Sequence, residues 1–96
     1  MNEVKRFFDL IREDSRIGPI HISLYMAILQ HRNENNKEGY VFAFSKDLMK
    51  RAKISGVATY HRTIRELHEY GYIKYEPSYN HFVGSLIDIN VPTNGS

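Results

Sequence analysis

The sequence predicts an α+β domain, mostly helical, and two features carry that expectation. From Ser45 to Leu67 two short helical patterns are separated by a tight turn at Ile54-Ser55-Gly56. After Gly71 the period changes to two, with Tyr72-Ile73-Lys74-Tyr75 and Leu86-Ile87-Asp88-Ile89 reading as the strands of a hairpin. Ninety-six residues make a single domain, expected to run over residues 1–90 with a loose tail at 91–96. A chain of this size buries only about 60–65% of its unfolded surface, which leaves little room for a deep catalytic cleft.

The first element is a helix over 3–13. Asn2 is placed to cap it, and Val4, Phe7, Phe8 and Ile11 recur at helical spacing on one face. Two adjacent phenylalanines must be covered, either by their own domain or by the same helix of a second copy. Val4, Phe7, Phe8 and Ile11 are therefore the candidate dimer contact. Gly18-Pro19 breaks the pattern, and proline suits the first turn of a new helix because its missing N–H has no partner there. The helix that follows, 20–33, is apolar nearly all round in its first turns, as a central helix is. The polar run 33–39 ends it as a loop.

Tyr40-Val41-Phe42-Ala43-Phe44 reads as a small edge strand. Ser45 then caps a helix over 45–53, with Asp47 in its first turn, where the helix dipole favours negative charge. Ser55 caps a second helix over 55–70. Val57, Tyr60, Ile64 and Leu67 form its inward face, with Thr63 at the border, and Gly71 closes it as a left-handed cap. The strands of the hairpin lie within 72–90, with Pro77 and Gly84 marking its turn. Three core helices, a β-hairpin and an extra N-terminal helix make a winged helix-turn-helix.

Charge is unevenly distributed. Ser45–Tyr75 holds seven basic and three acidic residues; the rest of the chain holds six basic and eight acidic ones. That half is expected to face a polyanion. A major groove accepts one helix, and a reading helix needs an apolar face to hold it and an opposite face of donors. Ser55, Ala58, Thr59, His61, Arg62 and Arg65 lie on or beside that opposite face and are the candidate base-reading residues. Lys46, Lys50, Arg51, Lys53 and Lys74 are the candidate phosphate contacts, which position the protein without reading sequence. The competing reading of each cation is a solvated surface charge.

The run from Ile54 to Ile73 resembles the recognition helix and first wing strand of winged-helix transcriptional regulators of the multiple-antibiotic-resistance type. Its ending, Leu67-His68-Glu69-Tyr70-Gly71-Tyr72-Ile73, carries the match. More narrowly, Thr59-Tyr60-His61 with Tyr75-Glu76-Pro77-Ser78-Tyr79-Asn80 and Gly84-Ser85 is similar to short DNA-binding proteins of bacterial mobile elements such as conjugative transposons. The resemblance spans about Ile20 to Ile89. It implies a cytoplasmic bacterial protein bound to double-stranded DNA, as a transcriptional regulator or a mobile-element accessory factor. One departure stands out. The wing tip, Pro77 to Gly84, has no Lys or Arg and offers Ser78, Tyr79, Asn80 and His81 instead.

Other chemistry is not expected. Zero cysteines exclude disulfides and thiolate metal sites. The five histidines form no i, i+4 ligand pair, and His21 reads as a local hydrogen-bond donor. No phosphate loop, nucleophile elbow or carboxylate pair stands out, so neither an enzyme, a metal nor a cofactor is expected. No apolar run suits a signal peptide or a membrane span. The alternative is a winged-helix module that docks another protein in a larger complex, a reading favoured by the uncharged tip and the Phe7/Phe8 helix.

Overall fold

A computed structural model describes residues 2–35, 40–77 and 84–89. Within them the chain forms four helices and a three-stranded antiparallel sheet. They are α1 (Asn2–Ile11), α2 (Pro19–Glu34), β1 (Tyr40–Ala43), α3 (Ser45–Ala52), α4 (Val57–Glu69), β2 (Lys74–Glu76) and β3 (Ser85–Asp88). The wing-tip residues Ser78, Tyr79, Asn80 and His81 and the tail 91–96 lie outside the described residues. No described helix is long and apolar enough to cross a membrane.

α2 is the central helix, as its composition requires. Leu24, Tyr25, Ala27, Ile28 and Leu29 are all buried, and α3, α4 and β1 pack around it. α1 folds back onto this core, and one of its rings is fully enclosed. Phe7 is 1% exposed, stacks on Tyr25 at 3.9 Å between centroids, and meets Tyr72 edge-on at 5.6 Å. Burial of a phenylalanine side chain stabilises a fold by about 1.5–3 kcal/mol, so this ring fixes the helix to its own domain. Phe7 is thus withdrawn from any contact between copies. Val4 and Ile11 also pack against the core, and only Phe8, at 43%, remains on the surface. α1 already includes Asn2, so Asn2 is not its cap, and it stops at Ile11 rather than Glu13. Asp14 forms the turn there: its N–H donates to the Ile11 carbonyl at 2.9 Å, and its side chain accepts the Arg16 N–H at 3.1 Å.

The same Asp14 carboxylate locks Tyr72. The Tyr72 hydroxyl donates to it at 2.6 Å, and Arg16 donates through Nε and a terminal nitrogen, both at 2.8 Å. These donors, Arg16 foremost, hold the Asp14 carboxyl well below the usual carboxylate range. Burial, together with the neighbouring carboxylate, pushes the Tyr72 hydroxyl up to about 12.

The helix boundaries correct two expected caps. Ser45 is the first residue of α3, and the cap is Phe44, whose carbonyl accepts the Asp47 and Leu48 N–H groups at 3.1 Å each. Gly56, not Ser55, caps α4, without a side-chain hydrogen bond. Val57 is a third correction. Expected inside, it is 60% exposed, because burial on α4 begins only at Tyr60, one turn further in. Gly71 does end the helix in the left-handed region, at φ +91°. The Gly71 N–H donates to the His68 carbonyl at 3.1 Å and the Tyr72 N–H to the Leu67 carbonyl at 2.9 Å, a Schellman arrangement. Those bonds commit the Tyr72 donor, and the strand starts at Lys74 rather than Tyr72.

The sheet has the order β1-β3-β2, so β3 is central and the expected edge strand joins the hairpin as β1. Val41 stands opposite Ile87, and Tyr75 opposite Ile87 from the other side. Val41, Ala43 and Ile87 turn inward, whereas Tyr40 and Phe42 turn outward. Gly84 makes the entry to β3 possible. Its φ is +75°, and a Cβ there would lie 2.6 Å from the Ala43 carbonyl oxygen.

Gly84→Ala is expected to destabilise the domain by at least about 2 kcal/mol, through the left-handed backbone and a clash that backbone atoms cannot relieve. Gly71→Ala meets open space and is expected to cost only about 1–2 kcal/mol, from backbone strain alone. Denaturant titration of the two variants measures the difference. A second expectation concerns acid. The stability linked to Asp14 is present above the pKa of an unfolded aspartate and is lost as pH falls through the depressed folded value. Asp14→Asn should therefore lower stability at neutral pH and flatten its fall below about pH 4, read from melting temperatures across pH.

Candidate nucleic-acid interface

The surface in question is built on α3 and α4, joined by the four residues Lys53–Gly56. α4 has two faces of different character. Tyr60, Thr63, Ile64 and Leu67 are buried, and the Thr63 hydroxyl satisfies itself by donating to the Thr59 carbonyl at 2.7 Å. Ala58, His61, Arg62 and Arg65 are exposed, and Thr59 is half-buried between the faces. Ser55, in the turn before the helix, is exposed as well. All six expected base-reading positions therefore remain at or near the surface. The His61 ring lies edge-on to Tyr60, with centroids 5.3 Å apart.

The C-terminal part of α4 is anchored by two histidines. His68 Nδ1 accepts the Tyr75 N–H at 3.1 Å, which ties the end of the helix to β2. His21, at the start of α2, reaches across to Glu66 with Nε2 at 2.8 Å from the carboxylate. Its Nδ1 lies 3.0 Å from the Gly18 N–H and must accept from it, so the proton sits on Nε2 and is donated to Glu66. His21 was expected to be a local donor. It is a local acceptor and a long-range donor at once.

The candidate phosphate contacts divide. Lys46, Lys50 and Lys53 are exposed on and just after α3, and Lys74 is exposed on β2. Lys53 ends α3 in the left-handed region at φ +62°. Arg51 does not belong with them. Its guanidinium donates to Glu34 at 2.7 and 3.0 Å, to Gln30 at 3.0 Å and to Asp47 at 3.2 Å, and its side chain is 19% exposed. These carboxylates, Glu34 foremost, push the Arg51 pKa further up. Arg51 is a brace between α3 and the end of α2, because three acceptors saturate it before any phosphate could.

The local charge balance follows from this. Asp47 is engaged by Arg51 and lies 2.9 Å from His31, and Glu66 is held by His21. Among the described residues, Lys46, Lys50, Lys53, Arg62, Arg65 and Lys74 form no salt bridge, and Glu69 is the one acidic side chain of 45–75 likewise unpaired. Beyond that stretch, or beside it, lie the exposed Glu76, which shares β2 with Lys74, and Asp88, which stands opposite Lys74 on β3.

Sequence reasoning missed the His21–Glu66 bond, the Arg51 brace and the Asp14–Tyr72 bond. Their partners stand 45, 17 and 58 residues apart, beyond any local pattern. Among the described residues, no three metal-ligating side chains cluster. No family model, no curated protein and no solved structure matches the chain.

The two cations Arg51 and Lys50 are adjacent in sequence but opposite in role. Arg51→Ala should lower the melting temperature by several degrees, whereas Lys50→Ala should leave it within about a degree, since exposed, unpaired charges contribute little. Equal shifts in a thermal-melt comparison would show that Arg51 braces nothing.

Proposed function

We propose that this chain is a winged helix-turn-helix protein that binds duplex DNA sequence-specifically, as a transcriptional regulator or a mobile-element accessory factor, and that it is not an enzyme. In this reading α3 and α4 are the helix-turn-helix, α4 enters the major groove, and β2 and β3 flank the wing. The observation that carries it is the separation of faces on α4. One face is buried, and the other presents Arg62 and Arg65 with no salt-bridge partner among the described residues. The succession helix, strand, helix, helix, hairpin supports the same reading.

The roles follow from position. Arg62 and Arg65 stand three residues apart on the exposed side of α4 and pair with guanine edges. Each such bidentate pair is worth about 1–3 kcal/mol against a wrong base. Ser55, Ala58, Thr59 and His61 line the remainder of the reading surface. Lys46, Lys50, Lys53 and Lys74 neutralise phosphates. Binding as a homodimer would set two half-sites about one helical turn apart, with Phe8, not Phe7, as the α1 residue available between copies. The protein works in the cytoplasm.

A second reading has its own observation. Tyr40 and Phe42 on β1 and Phe44 at the cap of α3 expose three aromatic rings, and such a group suits docking on another protein. The two readings separate cleanly in one experiment.

Selection from random duplex DNA, followed by fluorescence anisotropy on the enriched sequence, is expected to give affinity that falls steeply with salt. Each phosphate contact contributes a slope of about −0.9 in log K against log salt. Arg62→Ala and Arg65→Ala should relax sequence preference, and Lys50→Ala should weaken every sequence alike and reduce the salt slope by about one. Absence of enrichment at low salt, with a stable protein partner recovered instead, would replace the DNA reading by the docking one.

A further inference from the structure

Resting on the DNA-binding reading, we infer that Val57 is a specificity-determining residue: its side chain reads the 5-methyl group of a thymine in the major groove. Val57 opens α4 and is 60% exposed, more than any other large hydrophobic side chain among the described residues. The others that are exposed, Phe8, Tyr40, Phe42 and Phe44, lie on α1, on β1 and at the cap of α3. Among the described residues, Val57 is therefore the one exposed large hydrophobic side chain on α3 or α4.

The domain gains little from a valine there. Burial on α4 begins at Tyr60, so the core does not use the side chain. Valine also favours a helix less than alanine does, because its branched side chain loses rotamer freedom. A lone exposed valine is ordinary on a protein surface, and its neighbours are what distinguish this one. Val57, His61 and Arg65 follow one another at intervals of four residues, so they form one ridge along α4, and all three are exposed. Ala58 and Arg62, exposed as well, form the ridge beside it.

The ridge begins with an apolar side chain and ends with a cation. Cα–Cβ bonds tilt toward the start of a helix, so the valine methyls lead the ridge, and Gly56 before them has no side chain to shield them. In helix-turn-helix proteins the N-terminal residues of the reading helix contact base edges. Those edges offer hydrogen-bonding atoms and one apolar group, the thymine methyl. His61 and Arg65 suit the hydrogen-bonding atoms. A valine side chain has no polar atom and matches the methyl. Val57 and Arg65 stand eight residues apart, about 12 Å along the helix, which spans about three to four base pairs. The thymine is expected within about four base pairs of the guanine that Arg65 reads.

The test measures affinity for the enriched duplex with the parent, Val57→Ala and Arg65→Ala, each thymine of the site being replaced in turn by deoxyuridine. That replacement removes the methyl group and keeps the base pair. At one thymine it should weaken the parent by about two- to fivefold, the loss expected for one buried methyl. Val57→Ala should bind the unmodified duplex about two- to fivefold more weakly and lose nothing further with uracil at that position. Arg65→Ala should bind more weakly yet keep the full response to uracil. Val57→Ala removes an exposed side chain, so circular dichroism should show it folded, with a melting temperature within a few degrees of the parent. In the parent complex, a nuclear Overhauser contact should join a Val57 methyl to that thymine methyl. A parent insensitive to uracil at every thymine overturns the proposal, and so does a Val57→Ala variant that responds to uracil as the parent does. An enriched site with no fixed thymine within that distance, or a complex without the methyl contact, overturns it as well. In each of those cases duplex is bound and the DNA reading stands, whereas a parent chain that enriches no duplex removes both.

Discussion

The fold depends on the burial of α2. A helix packed on several sides has little solvent-facing surface on which to place polar residues, so those on its buried sides look for partners inside the protein. In α2 the partners belong to different elements. His21 reaches Glu66 on α4, and Ser23 donates to the Ala52 carbonyl at the end of α3. Gln30 and Glu34 receive Arg51 of α3, His31 lies against the Phe42 carbonyl of β1, and Arg32 is paired with Glu3 of α1. The apolar surface of α2 supplies attraction without direction. Its few polar residues supply direction, since a hydrogen bond fails when a partner rotates or slides. The orientation of α4, and with it the outward face of Arg62 and Arg65, follows from α2.

The elements were legible in the sequence to the extent that they were periodic. The apolar run from Ile20 to Leu29 announced a central helix, and Tyr60, Ile64 and Leu67 announced the buried face of α4. Both are set by geometry repeated every turn. Helix ends were less legible, because several residues compete for each cap. Ser45 and Ser55 have side chains suited to capping, yet the Phe44 carbonyl and Gly56 occupy those positions, since the turns between elements leave the serines one residue out of place. Adjacent phenylalanines posed a choice that sequence leaves open. One ring had to face the core, and the stacking of Phe7 on Tyr25 decided which. Arg51 was misplaced for a different reason. Lys46, Lys50, Arg51 and Lys53 look alike as a basic cluster, and only the three-dimensional approach of Glu34 separates the arginine from the lysines.

The edge strand β1 illustrates how the same helix protects the fold from unwanted pairing. Its outward rings, Tyr40 and Phe42, and its place at the margin of the sheet would make it a template for another strand. His31 limits this by placing Nε2 3.1 Å from the Phe42 carbonyl. Strand addition would have to displace that contact. The aromatic strip is therefore better suited to contact through its side chains than through its backbone.

Two sets of charges thus serve separate ends. Arg51, Arg32 and Arg16 are paired with carboxylates within the domain, and those contacts belong to the fold before any partner arrives. Arg62, Arg65, Lys46, Lys50, Lys53 and Lys74 have no such commitment among the described residues, so contact with a partner need not first break an internal salt bridge. An arginine already held in a buried pair would have to give up one set of hydrogen bonds to form another, and the net gain would shrink toward zero. A small domain with little stability to spare is best served when the residues that read a surface are not the residues that hold it up.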